Sequence, residues 1–367
     1  MNNRKVTLAV TAAGVVAGVV GLGIVANPAG AGPAPTLPSV SAESLVQSVL
    51  TAKPAAFAGS VEVTNNLGLP ALPGIPLTAD GVNKARVWSD GQGRARLSLP
   101  SAQSEQVFVE DGKTVWSYDS AKKTATKSTK DAAKDGAGKT PLDQHGDRAA
   151  NPVTAAADLI TELRKTSNIA VDGTATVAGR PAYELVLSPK PDERTLLREV
   201  RVAVDSELRI PLRAEVLTNG TNEPAVQVAF ADLTVGSQDA SLFTFTPPAG
   251  TKVEDKNLTA KDRKTAEEAK DQVSPQVVGD GWDTTLVGRV PAGLLSGNAT
   301  APNGSTKHNG QNPAALLKQF GMPVSGAWGS GIKISTKVGT GLLTDDGRFA
   351  VGAVPEQVLY EAIGQVK

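Results

Sequence analysis

Between Ile169 and Leu233 the sequence delivers alternating apolar runs with almost nothing between them: Ile169 to Val177, Ala182 to Leu187, Glu199 to Val204, Ile210 to Leu217 and Val226 to Leu233. A period of two residues is the pattern of a half-buried strand. The breaks are turn sequences such as Ala178-Gly179-Arg180-Pro181 and Asn219-Gly220. They are far shorter than the crossover that parallel neighbours need. The spacing therefore predicts an antiparallel sheet. Tyr183, Leu185 and Leu187 share a face, as do Val200, Val202 and Val204, and Val226, Val228 and Phe230. The sheet presents a broad apolar surface.

The same pattern starts earlier. Gly59 to Leu99 alternates around a Pro-rich loop or edge, "LGLPALPGIPL", and Asp90-Gly91 reads as a turn between Trp88 and the run Ala95, Leu97, Leu99. In "QVFVEDGKTVWSYD", Gln106 to Asp119, Asp111-Gly112 separates two apolar runs and suits a two-residue type I′ hairpin. With that pair central, Glu110 opposes Lys113, Phe108 opposes Val115 and Val107 opposes Trp116. Val107, Val109, Trp116 and Tyr118 then lie on one face, and Phe108 and Val115 on the other. Only 4% of the chain is aromatic, so Phe, Trp and Tyr around one turn mark apolar surface on both faces, each of which needs a cover.

Two helices accompany the sheet. The first has Ser41 as N-cap and Leu45, Val46, Val49 and Leu50 at helical spacing; the second opens at Asn151-Pro152 and runs through Ala156, Leu159, Ile160 and Leu163. Lys122 to Thr140 is lysine-rich and without periodicity, which predicts an exposed loop with no fixed fold. Thr251 to Gln272, polar on all sides, reads as a linker or a solvated helix. Beyond it come a strand region from Val277 to Val290 around Trp282, a polar loop from Gly293 to Gly310 and a short helix from Asn312 to Phe320. A hairpin of Ile332 to Leu343 and Phe349 to Val354 about Asp345-Asp346-Gly347 and a helix from Pro355 to Val366 complete a small α+β domain.

Composition removes several classes of function. The 37 basic and 37 acidic side chains cancel, so no net field draws the chain to nucleic acid. Cysteine is absent, which excludes disulfides, thiol catalysis and the acylated cysteine of a lipoprotein. "DGAGKT" at Gly138-Lys139-Thr140 imitates a P-loop but has Ala133 where the first Gly is needed. His145 and His308 stand in polar loop sequence, and Asp345-Asp346 fits a turn. No catalytic or metal-ligating set and no cofactor site is expected. Arg4 and Lys5, the apolar run from Val6 to Ala26 and Ala29-Gly30-Ala31 make residues 1–31 an export signal, either cleaved near Ala31 or kept as an anchor. A Pro-rich spacer, 32–40, follows.

In order along the chain stand "VWSDGQGRARLSLP", "EQVFVEDGKTVWSYD", a helical break, "GRPAYELVLSPK" and "DASLFTFTPPAGTKV". This succession resembles the LolA-type lipoprotein carrier family and its relatives, among them the MucB/RseB envelope-stress regulators, from about Ser41 to Val253. D-G-K-x-x-W-x-Y, Asp111 to Tyr118, and L-F-x-F-x-P-P-x-G, Leu242 to Gly250, are individually degenerate and gain specificity from their order. The resemblance implies an α+β fold, an incomplete curved β-barrel closed by helices around a hydrophobic cavity that accepts acyl chains. It also implies a lipid-binding domain over 41–250 with its insert at 121–140, a linker at 251–275 and a small domain at 276–367. "WGSGIKISTKVGTGLLTDDGRFAVGAV" is similar to the C-terminal domain of actinobacterial members.

The cavity candidates are Val107, Val109, Trp116 and Tyr118, the larger apolar set, with Trp88, Leu97, Leu99, Tyr183, Leu185, Leu187 and Phe230. The family arginine that pairs with a lid helix has two candidates, Arg94 and Arg96. The implied function is an exported, non-enzymatic binder of acyl chains, a lipid or lipoprotein carrier at the outer side of the cytoplasmic membrane. The second domain favours the alternative, a MucB/RseB-type regulator that senses lipid or lipoprotein and binds a membrane anti-sigma partner.

Overall fold

The computed structural model describes residues 34–68, 80–129, 152–255, 275–290 and 321–366. One sheet is built from β1 (Ala56–Asn65), β2 (Gly81–Asp90), β3 (Ala95–Pro100), β4 (Glu105–Glu110), β5 (Thr114–Asp119), β6 (Thr124–Thr129), β7 (Ser167–Val177), β8 (Arg180–Pro189), β9 (Leu197–Asp205), β10 (Pro211–Thr218), β11 (Val226–Val235) and β12 (Lys252–Asp255). Their order is β12-β6-β5-β4-β3-β2-β1-β11-β10-β9-β8-β7. The sheet stays open, with β12 and β7 at its ends. As expected it is antiparallel, except that β12 pairs with β6 in parallel.

The β4–β5 hairpin forms with its turn one residue later than the sequence suggested. Val107 opposes Tyr118, Val109 opposes Trp116 and Phe108 opposes Ser117. Asp111 stays outside the central pair because its carboxylate accepts from the N–H groups of Lys113 (2.9 Å) and Thr114 (2.7 Å). Gly112 takes the positive φ, 94°, as the first central residue of a type II′ turn does. Moving a turn by one residue moves each pairing by two. The faces are therefore unchanged, and Val107, Val109, Trp116 and Tyr118 stay together.

Two polar segments read as unstructured contribute strands. Thr124 to Thr129, inside the expected lysine-rich loop, is β6 on β5, and Ala125 in it is fully buried. The start of the expected linker is β12, with Lys252 opposite Thr124 and Val253 opposite Ala125. Both corrections have one cause. An open strand edge offers unpaired N–H and C=O groups, and alternating threonines suit a strand whatever their polarity. The remainder of both segments, the N-terminal 33 residues, Asn151, the Gly293–Gly310 loop, the Asn312–Phe320 helix, His145, His308 and the P-loop-like stretch lie outside the described residues.

Helix α1 (Ala42–Leu50) is capped as expected, Ser41 Oγ accepting from the N–H of Ser44 at 3.1 Å. Its Leu45 is completely buried, which is worth about 2 kcal/mol of transfer free energy. Helix α2 (Pro152–Leu163) is tied to α1 by an Arg164–Glu43 ion pair. No helix among the described residues is long and apolar enough to cross a membrane.

A second sheet holds β13 (Gln276–Val278), β14 (Thr285–Arg289), β15 (Met322–Gly326), β16 (Gly329–Ser335), β17 (Thr340–Thr344) and β18 (Arg348–Gly352), in the order β13-β14-β18-β17-β16-β15. Trp282, expected within a strand, sits in the turn between β13 and β14. The run Ile332 to Leu343, read as one strand, is two, because Thr336 and Gly339 close a turn between β16 and β17 (N–H of Thr336 to Gly339 O, 2.9 Å). Helix α3 (Glu356–Ile363) buries Val358, Leu359, Ala362 and Ile363 against Val287, Leu342 and Ala350.

The β8–β9 loop joins the two sheets. The N–H of Leu196 (2.9 Å) and Oγ1 of Thr195 (2.7 Å) both donate to Ala353 O. Arg194 makes a two-pronged bond to Glu361, at 3.1 and 2.9 Å. The Glu193 carboxylate accepts from the N–H groups of Trp282 (2.7 Å) and Asp283 (3.3 Å), while Trp282 Nε1 donates to Ser167 Oγ at 2.8 Å.

Candidate functional site

Directly opposed residues share a face, so the registers sort the candidate residues between two sides of the large sheet. Tyr183, Leu185 and Leu187 on β8 oppose Val204, Val202 and Val200 on β9. Ala42 and Leu45 of α1 pack on Tyr183, Leu185 and Val204, which defines the helix-bearing face. The pairings carry it through Ala214, Val228, Phe230, Val61, Ala85 and Val87 to Leu97 and Leu99 on β3 and Phe108 on β4.

Cover falls away along this face. Beneath α1 the side chains are buried, Tyr183 at 6% exposure. Phe230 is buried in the middle, with Phe57 edge-on to it at 5.8 Å. Further on, Phe57, Leu97, Leu99 and Leu233 are half-buried, and Phe108 is 37% exposed. The structure thus brings Leu97, Leu99, Tyr183, Leu185, Leu187 and Phe230 onto one continuous apolar surface. Phe57, Phe108 and Leu233 belong to it and were missed. The hairpin alternation already placed Phe108 opposite the Trp116 side and could have found it.

Val107, Val109, Trp116, Tyr118 and Trp88 lie on the other face. There a 3-10 turn, Ala240–Phe243, and the residues after it fold over β3 to β5. Phe245 packs on Trp116 at 5.4 Å and on Tyr118 at 5.7 Å. Phe243 is buried under the Arg94 guanidinium at 5.3 Å, and Arg96 Nη1 donates to Leu242 O at 3.3 Å. Both arginines of the family motif region thus hold the L-F-x-F segment. Trp88 lies between the guanidinium groups of Arg86 (5.2 Å) and Arg96 (5.9 Å).

Across β8, β9 and β10 this second face is charged. Glu184 pairs with Arg213 and Arg201, Arg201 with Glu199 at 2.9 Å, and Arg213 with Glu215 at 3.5 Å. Burial pushes the Glu215 carboxyl up despite Arg213 beside it. At the β9–β10 turn burial alone would raise the fully buried Asp205, but bonds from Arg180 and from the N–H groups of Leu208 and Glu207 hold its carboxyl below the usual 3.8. The same strands therefore carry salt bridges on one side and apolar side chains on the other. Among the described residues no group of three or more His, Cys, Asp or Glu side chains could hold a metal ion.

An open, mostly antiparallel sheet bearing helices on one face thus carries the candidate site. Residues 80–261 match the MucB/RseB N-terminal domain. Among solved structures it is similar to the MucA/MucB complex of Pseudomonas aeruginosa, at 15% identity over 88% of this chain and 96% of that chain, TM-score 0.43. It is also similar to a crystal structure of MucB, at 17% identity over 88% and 95%, TM-score 0.40. A LolA superfamily protein from Nitrosomonas europaea matches at 15% identity over 56% and 99%, TM-score 0.24. No curated protein matches the sequence.

Proposed function

We propose that this chain is an exported, non-enzymatic binder of acyl chains that takes them on the helix-bearing face. The carrying observation is the gradient of cover on that face: closed beneath α1, half-open from Phe57 and Leu97 to Phe108, and apolar throughout. Association there is driven by apolar area removed from water, at about 25 cal/mol per Å², and selects chain number and length. The opposite face offers no comparable surface, since the Leu242–Phe245 segment fills one part and salt bridges occupy another. The basic start, apolar run and Ala29-Gly30-Ala31 of the N-terminus support export, and cell fractionation with intact mass tests it. Extraction of lipid from the purified protein, and displacement of a fluorescent fatty acid, test the binding. A protein that copurifies with no lipid and displaces no probe is not an acyl-chain binder.

The second sheet favours a regulatory use of the same binding. The β8–β9 loop, which follows directly from the strand carrying Tyr183, Leu185 and Leu187, is bonded to Ala353, Glu361 and the Trp282 turn. A ligand that shifts β8 therefore moves bonds to the small unit. In this reading the small unit grips a membrane partner and lipid alters the grip. Pull-down of membrane proteins by the full chain, with and without added acyl ligand, separates this use from simple carriage, for which the partner is not lipid-dependent.

A further inference from the structure

Arg209 stands out among the charged residues of the large sheet. It lies in the turn between β9 and β10 with φ at 58°, its N–H donating to Asp205 O at 3.2 Å. Its guanidinium carbon is 5.3 Å from the centre of the Tyr183 ring. Nη1 is buried and has no hydrogen-bond partner among the described residues. The neighbouring carboxylates are committed elsewhere. Asp205 is taken by Arg180 and two backbone N–H groups, and Glu207 by Arg180 at 3.0 Å. Among the described residues no carboxylate pairs with Arg209.

A permanent cation with a buried, unpaired donor is unfavourable by itself, and its position gives it a use. Tyr183, on which it stacks, is the residue that α1 covers, in one cluster with Leu45, Leu185 and Val204. The charge therefore stands at the border of the apolar face, with Nη1 buried and Arg209 as a whole half-buried. We propose that Arg209 anchors the anionic headgroup of a bound amphiphile whose acyl chain lies along the helix-bearing face. This rests on the acyl-binding reading above. The planar guanidinium fork suits both oxygens of a carboxylate or a phosphate. A free fatty acid and a single-chain phospholipid supply that shared chemistry.

The test uses the full chain and three single-chain C16 ligands in equilibrium dialysis: palmitate, 1-palmitoyl lysophosphatidate and the neutral 1-palmitoylglycerol. The expected result is that at least one anion binds the unsubstituted protein about tenfold more tightly than the neutral lipid, and the two anions tell carboxylate from phosphate. Arg209→Met removes that preference, leaves binding of 1-palmitoylglycerol within about twofold, and does not lower the ligand-free melting temperature, because an unpaired buried charge has been removed. If Arg209→Met does not fold by circular dichroism, Arg209→Lys is measured instead; it keeps the charge, loses the fork and is expected to lower the preference about threefold. An anion preference absent from the unsubstituted protein, or undiminished in the folded variant, overturns the anchor while acyl binding stands. Failure of all three lipids to bind overturns the acyl reading and the anchor with it.

Discussion

Trp116 and Phe245 pack ring to ring at 5.4 Å, although 128 residues separate them in the chain. The contact explains why a chain poor in aromatics concentrates them at one hairpin. The Trp116 side of β4 and β5 is covered by the L-F-x-F segment, which returns from beyond β11 and whose chain continues into β12 beside β6. The Trp116 side is thus covered by a distant segment, and the proposed ligand binding falls on the opposite side.

Substitution in that core is therefore expected to act on stability. Val107→Arg puts an unpaired charge at a site 4% exposed, at a cost of several kcal/mol, on the order of 3 to 5, and Phe243→Ala costs about 3 to 5 kcal/mol through the cavity it leaves. Thermal melts followed by circular dichroism measure both. A folded Val107→Arg protein that has lost acyl binding would return the ligand to this face.

On the helix-bearing face the outcome is reversed. Phe108 is 37% exposed, so Phe108→Asp is expected to cost about 1 to 2 kcal/mol, less than the substitutions in the core. It places a charge where an acyl chain would lie, so affinity for palmitate should fall at least about tenfold. Equal affinity in parent and variant would remove the half-open part of this face from the ligand's path.

Asp205 predicts a pH effect. Its folded-state carboxyl is held below 3.8 by Arg180 and two N–H groups, so its contribution is complete above the ordinary aspartate range and is lost as pH falls through the folded-state value. Asp205→Ala leaves Arg180 without its main partner and is expected to cost about 3 to 5 kcal/mol at neutral pH. It should also flatten the acid limb of the stability curve, read by urea titration at successive pH values.

Glu193 has the opposite sign. Burial, foremost, and the nearby Asp283 push its carboxyl above the usual 4.5. Its contribution is therefore fullest below 4.5 and weakens as pH rises through the folded-state value. Glu193→Gln keeps an acceptor for the Trp282 N–H and should remove that part of the pH dependence, followed through Trp282 fluorescence. Gly281→Ala is a sharper probe, since a Cβ there would run into the Glu193 carboxylate. It should loosen the junction between the sheets and raise hydrogen exchange at Leu196, whose N–H is bonded across it.

The local pattern alone settled a good deal. Period-two alternation placed β7 to β11 and sorted their side chains by face, and Ser41 announced α1, because these features depend on neighbours a few residues away. Even the turn of β4 and β5, read one residue early, kept its faces, since a one-residue move of a turn shifts pairing by two. Tertiary structure decided the rest. Strand order put β11 beside β1, so that Leu97, Leu99, Phe230 and Tyr183 share a face while Trp88 and Trp116 take the other. Backbone groups at an open edge drew Thr124–Thr129 and Lys252–Asp255 into the sheet, although their side chains read as loop and linker. Alternation along a strand records that an apolar side chain needs cover; it holds nothing about which distant segment, helix or ligand provides it, because that depends on contacts closed only when the whole sheet has assembled.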